Sequence, residues 1–309
     1  MELDFTAARV RCFVAVAEEG RISLAAARLD VPQPAVLVQA IAELEAELGL
    51  ELLERQADGV TLTPAGHVFL ARARAAVAAY DEAALAGQRL GRVARGQLQV
   101  GFVGPPPLVL APELFAAFAD RHSDAELSFH DLQFPRGSTA SWLGGADVGL
   151  CFSPSAHPRV HLQTVREDPR VVIAPRADPL SRKHEVTVAE VIDETFVGFD
   201  RAVERGWAGL LTLDDHRAGP PARLTGERAG NALEMLTIVA SGQGIVALAA
   251  SHGEIIRGAL PNLAVIPLRD AHPTRLTLAW RSDIEHPLVE ALVAVAEDLG
   301  PSDAGGARP

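Results

Sequence analysis

The sequence predicts an α/β protein with an α-rich N-terminal domain. Three observations carry this. Residues 23–49 read as two short helices around a tight turn. Residues 65–92 form one long, one-sided, alanine-rich helical run. Beyond Gly96 the rhythm changes to strand-like apolar runs alternating with helical ones, the pattern of parallel sheets with covered faces.

The N-terminal elements follow in order. Phe13-Val14-Ala15-Val16-Ala17 reads as a helix closed by Glu18-Glu19-Gly20. A second helix carries Leu24, Ala25, Ala26 and Leu29 at helical spacing, with Ser23 as its N-cap. The turn Asp30-Val31-Pro32 leads to a third helix opening at Gln33-Pro34, where a missing N–H costs nothing. Its apolar face is expected at Val36, Ala40, Ile41, Leu44 and Leu48, with Gly49 as the stop. Residues 50–53 and 60–62 are expected to pair as two short strands around Ala57-Asp58-Gly59. Helix, helix-turn-helix and a two-stranded wing make a winged helix-turn-helix, a geometry that sets a helix in a major groove.

At this point the chain resembles the LysR-type transcriptional regulators. The segments that carry the resemblance are FVAVAEEG (13–20), AARL (26–29), QPAV (33–36), LEAELG (44–49), LLER (52–55) and LTPAG (62–66), specific in their joint order and spacing. The likeness covers nearly the whole chain. It implies a DNA-binding domain over 1–64, a dimerising linker helix over 65–95 and an effector-binding region over 96–300. It further implies two periplasmic-binding-protein-like α/β lobes, lobe I about 97–165 and 269–300 and lobe II about 166–268. Strands are expected at 98–102, 127–130, 147–152, 171–174, 196–199, 245–248, 263–266 and 276–280, and helices at 112–119, 188–192, 231–241 and 287–298. The tail from Pro301 is expected to be disordered.

Composition narrows the function classes. Hydrophobic residues are 48% and charged residues 22% of 309, as in globular proteins. With no apolar run long enough to span a bilayer and no leader-like N-terminus, the expected location is cytoplasmic. Cys12 and Cys151 lie far apart, so neither a disulfide nor a metal site is expected. His157 and His161 have a metal-like spacing that Pro158 spoils, and Ser241-Gly242-Gln243-Gly244 reads as a helix C-cap rather than a nucleotide loop. No nucleophile elbow or compact triad appears, so no enzyme and no cofactor is expected.

Charge opposes the DNA reading. The net charge is −12, and residues 1–64 hold five arginines against eleven acids. A sequence-independent grip on phosphate needs the opposite balance. The candidate DNA contacts are Arg9, Arg11, Arg21, Ser23, Gln33, Pro34, Gln39 and Arg55, with Arg28 read as a solvated surface charge. Pro32, Leu37 and Val38 stand where the family places polar or basic groups, and one extra residue lies between Val36 and Leu44. That residue is taken up in a bulge, or it rotates the reading face by roughly 100°. Two readings therefore remain open: an operator-binding regulator acting as a homodimer or homotetramer on double-stranded DNA, or a homologue that has lost its DNA contacts and serves as a ligand-sensing or interaction scaffold.

Effector candidates sit at strand ends, where open parallel sheets bind ligands. They are Val103, Gly104 and Pro105; Cys151 and Phe152; Phe199, Asp200 and Arg201; and Thr225, Gly226 and Glu227. The family commonly holds a carboxylate with hydroxyls and backbone N–H groups after the first strand. Here Pro105, Pro106 and Pro107 remove three such donors. The expected effector is a small molecule that is apolar or aromatic, or there is none. Cys151 is read as a small buried residue rather than a redox sensor.

Overall fold

A computed structural model describes residues 6–56, 59–104, 110–132, 134, 143–152, 156–201, 203–283, 285–300 and 302–303. The chain divides into two compact units, Met1–Gln88 and Arg89–Pro309.

The first unit begins with α1 (Ala7–Glu19), opened by Thr6 as N-cap and closed by Gly20 at φ 66°, where a side chain would be strained. α2 (Ile22–Arg28) and α3 (Pro34–Leu48) form the helix-turn-helix. Arg21, in extended conformation, holds the cap position of α2 without a side-chain hydrogen bond. Ser23 thus lies one residue inside the helix and is exposed, and is not the cap its sequence position suggested. α3 runs unbroken, so no bulge takes up the extra residue. Its buried face is Leu37, Ile41 and Leu44, while Val36 is 51% exposed. These side chains pack on Val10, Phe13, Val14 and Leu52. The wing pairs β1 (Leu53–Gln56) with β2 (Gly59–Leu62), Arg55 opposite Val60. Leu50 is 53% exposed rather than in the strand. Ala57 and Asp58 of the expected turn lie outside the described residues. Glu45 of α3 ties the wing down, accepting from the N–H groups of Leu52 at 2.7 Å and Leu53 at 3.0 Å. Thr63 Oγ1 then accepts from Gly66 N at 2.9 Å and opens α4 (Pro64–Ala94).

The second unit holds a six-stranded sheet built from β3 (Gln97–Phe102), β4 (Glu126–Asp131), β5 (Val148–Phe152), β6 (Val160–Asp168), β12 (Thr274–Arg281) and β13 (Ser302–Asp303). Its order is β13-β6-β12-β5-β3-β4. β3, β4 and β5 are parallel, whereas β12 runs antiparallel to β5 and β6, so the sheet is mixed rather than parallel. α5 (Pro112–Arg121) and α10 (Pro287–Leu299) cover it through Leu114, Phe118, Leu292 and Val295. Ser302 and Asp303 pair with Arg166 and Glu167 of β6. The expected disorder is corrected there, because the free edge of β6 offers backbone partners. Residues 304–309 lie outside the description.

From β6 the chain passes through Pro169 into β7 (Arg170–Pro175), which pairs antiparallel with β10 (Val246–Ala249) and β11 (Leu263–Pro267). β8 (Thr195–Phe199) and β9 (Arg223–Ala229) pair in parallel, and Phe196 bridges to Ile245. Around these strands lie α6 (Val188–Val191), α7 (Arg205–Leu211), α8 (Ala232–Ala240) and α9 (Ala250–Ala259). Thr187 and Glu190 form a capping box on α6, and Asn231 caps α8. Gly242, at φ 83°, follows α8 as a helix stop. No helix among the described residues is long and apolar enough to cross a membrane.

Candidate functional site

Two regions gather the sequence candidates. The first is the helix-turn-helix surface. Gln33, Pro34, Ala35 and Val36 are exposed at the start of α3, and Gln39 is exposed one turn on, its amide 3.0 Å from Glu43. Arg9 is held between Glu43 and Glu47, 2.8 Å from each. Arg11 reaches Asp81 at 2.5 Å and lies over the Tyr80 ring. Arg28 bridges Glu18 and Glu19, so it is paired rather than freely solvated. Burial alone would raise the Glu18 carboxyl, but hydrogen bonds from Arg28 and Arg74 bring it below its ordinary value. Arg21 and Arg55 are exposed and meet no acid among the described residues.

Several acids of this unit are likewise engaged. Glu18, Glu19, Glu43 and Glu47 pair with arginines, and Glu45 holds the wing backbone. Five of the eleven acids counted in the sequence are thus turned to internal partners.

The second region is a cavity of about 230 Å³ in the second unit. Val103 and Gly104 after β3, and Phe152 at the end of β5, supply one wall. Ala247, Leu248 and Ala249 of β10 form another. Trp207, Leu210 and Leu211 of α7, Ala232, Met235 and Leu236 of α8, and Ile255 and Ile256 of α9 close it. Phe134 packs on Trp207 at 4.6 Å between ring centroids. The walls are apolar because each element turns its core face inward here.

Among the described residues, four lining side chains carry polar atoms: Arg170, Trp207, His252 and Thr274. Arg170 is 4% exposed, donates to Asp215 at 2.9 Å and also donates to the Leu210 carbonyl. Its charge already has a counterion. His252 lies against Phe152, ring centroids 4.7 Å apart. Its Nδ1 is buried and finds no hydrogen-bond partner among the described residues. Burial, aided by the nearby Arg166 charge, pushes its pKa down to about 4, so the ring is neutral at pH 7.

Of the expected effector contacts, Val103, Gly104 and Phe152 line this cavity. Cys151 and Phe199 are buried in the core around it and do not face it. Burial raises the Cys151 thiol pKa far above its ordinary value. Asp200, Arg201, Thr225, Gly226 and Glu227 are not part of the lining. The Thr225 hydroxyl is engaged, accepting from Gly198 N at 2.9 Å and donating to the Glu227 carbonyl at 2.7 Å. Arg201, Gly226 and Glu227 are exposed. Pro105 lies outside the described residues. Sequence reasoning missed Trp207, Met235 and His252. The strand-end rule would have found His252, which follows β10 in the first turn of α9. No group of three or more metal-ligating side chains occurs among the described residues.

Two family models match the chain: "LysR substrate binding domain" over residues 91–300 and "Bacterial regulatory helix-turn-helix protein, lysR family" over residues 8–67. The HTH-type transcriptional regulator AlsR of Bacillus subtilis (strain 168) is 31% identical over 185 residues, 60% of this chain and 61% of that protein. The uncharacterized HTH-type transcriptional regulator YnfL of Escherichia coli (strain K12) is 32% identical over 244 residues, 78% of this chain and 81% of that protein. The crystal structure of CbnR, a LysR family transcriptional regulator, has a TM-score of 0.58 at 24% identity, covering 96% of this chain and 100% of that one. The two matches fall in turn on the helix-turn-helix with its wing and on the mixed α/β unit, and the chain belongs to the LysR family of bacterial transcriptional regulators.

Proposed function

We propose that this regulator binds operator DNA through residues 1–64 and answers to a small apolar or aromatic molecule held in the 230 Å³ cavity. In this reading α4 pairs with its copy in a second subunit, and 96–300 is the effector region. Val68, Tyr80 and Leu90, exposed by 74%, 57% and 71% along α4, suit a partner helix. Paired heads supply the avidity that a single acidic head lacks.

One observation carries the effector reading. The carboxyl ends of β3 and β5, in the six-stranded sheet, face β10 and the helices α7, α8 and α9 across one apolar cavity. A ligand that touches both walls stabilises one relative setting of the two sheets, and it shifts the population by its differential affinity alone. That shift would alter the spacing of the DNA-binding heads.

Fluorescence anisotropy with the chain's own upstream DNA tests the first half, at two salt concentrations and with oligomeric state measured in parallel. Salt-dependent binding that weakens in Gln33→Ala and Arg55→Ala supports it. No binding at low salt, to that DNA or to a random pool, refutes it. Filling the cavity with Leu236→Trp tests the second half: loss of ligand response with DNA binding retained is expected, and an unchanged response refutes the site.

A further inference from the structure

We infer that the molecule the cavity takes is uncharged, a single ring whose one polar group is a hydroxyl bonded to the His252 imidazole. This rests on the cavity being the effector site, as proposed above.

Size sets the scale. A cavity of roughly 150 Å³ lined by apolar side chains is enough for benzene. At about 230 Å³ this one has room for a ring with one or two small substituents. Phe152 and Trp207 offer faces to such a ring, and Met235 a deformable contact.

The described lining does not suit an acid. A carboxylate brought into an apolar site needs a cation or several N–H donors. Arg170 is the one lining cation among the described residues, and its guanidinium is bound by Asp215 and the Leu210 carbonyl.

Thr274 already has a partner and the Trp207 indole can only donate, which leaves the neutral imidazole of His252. Its Nδ1 is without a partner among the described residues. Its Nε2 stands over Gly104, 3.0 Å from where a Cβ on that residue would lie, so glycine keeps this space open. A neutral imidazole has one donor and one acceptor nitrogen. A hydroxyl, also donor and acceptor, satisfies whichever nitrogen it meets. A buried group left without such a partner is costly, which gives the site its selectivity for a polar substituent over a plain hydrocarbon.

The test uses the full-length protein and three probes of one shape: p-cresol, toluene and 4-methylbenzoate. At pH 7.5 the phenol is neutral, like tyrosine, and the benzoate is ionised. Saturable stabilisation by p-cresol, weaker stabilisation by toluene and none by 4-methylbenzoate is expected in thermal unfolding and calorimetric titration. His252→Phe should weaken p-cresol about tenfold, the loss of one neutral hydrogen bond, and leave toluene unchanged. His252→Gln, with a donor and an acceptor, should keep the order of the probes. Should His252→Phe fail to fold, the order of the three probes on the native chain decides alone. Binding of 4-methylbenzoate as tight as p-cresol, and abolished by Leu236→Trp, overturns the ligand class and leaves the effector site standing. Binding of no probe, or binding indifferent to Leu236→Trp, overturns both.

Discussion

Asp147 should be among the most sensitive positions in the effector unit. Its carboxylate is buried just ahead of β5 and draws three elements together. Arg92, in the last turn of α4, donates from Nε to Oδ2 at 2.9 Å and from Nη2 to Oδ1 at 2.7 Å. The N–H of Gln99 in β3 donates to Oδ2 at 2.9 Å. Arg89 Nε stands 3.9 Å away, and His286, the N-cap of α10, 3.6 Å away. Asp147→Ala leaves Arg89 and Arg92 buried with no carboxylate between them. Removing one partner of a buried pair costs about 3–5 kcal/mol. At about 2–4 °C per kcal/mol for a unit of this size, Tm should fall by roughly 6–20 °C. Thermal and urea unfolding at fixed protein concentration measure this, since oligomerisation makes Tm concentration-dependent. A double-mutant cycle with Arg92→Ala isolates the pair and should give a coupling of about 1.5–3 kcal/mol. A loss under about 1 kcal/mol, or strictly additive single costs, would refute the view that this carboxylate anchors α4 to the sheet.

Three further outcomes follow from the same coordinates. With Arg21 and Arg55 as the arginines of each head that meet no acid among the described residues, the slope of log K against log salt for a paired protein should be about −4, and a slope near −10 would mean that other cations reach phosphate. His252 has a folded pKa of about 4 against an ordinary 6.5, so the unfolded chain takes up the proton first as pH falls. Its contribution to stability is intact above about pH 6.5 and lost towards pH 4, about 3 kcal/mol in all, and urea midpoints at pH 7.5 and 4.5 should converge in His252→Leu relative to the native chain. Cys151 should resist iodoacetamide in the folded protein and react once urea is present, while half-buried Cys12 is modified without urea; mass spectrometry showing early labelling of Cys151 would revive a redox role.

The sequence made the capped and periodic elements legible and hid the polar strands. α1 and α3 could be read because apolar spacing ends at a glycine with positive φ, Gly20 and Gly49. The expected face of α3 held at Ile41 and Leu44 and failed at its first position, where Leu37 and not Val36 is buried. Its first half, AVLVQAIA, is apolar all round, so periodicity could not tell Val36 from Leu37, and only packing against α1 and α2 decides. β6, VHLQTVRED, alternates only over its first four residues and β9, RLTGERA, not at all, and neither holds an apolar run. They are strands because β12 and β8 lie beside them and offer backbone partners, information the segments themselves do not hold.

The sites divide along the same line. Val103, Gly104 and Phe152 were legible because a strand end is a local feature. Trp207 and Met235 were not, because they reach the cavity from helices whose place depends on how the strands pair, whereas His252, three residues past β10, was open to the same strand-end rule and was passed over. Charge shows the limit most sharply. A count of five arginines against eleven acids in the head treats every group as free. In the fold, Arg9, Arg11 and Arg28 are neutralised at once with the acids they bind, and Glu45 faces backbone N–H groups. Internal pairing removes cations and anions from the surface together. What a duplex meets is then set by the unpaired remainder and by the polar side chains of Gln33 and Gln39 at the exposed start of α3. If such a head binds operator DNA as proposed, recognition rests more on those amides and on paired subunits than on a general attraction to phosphate.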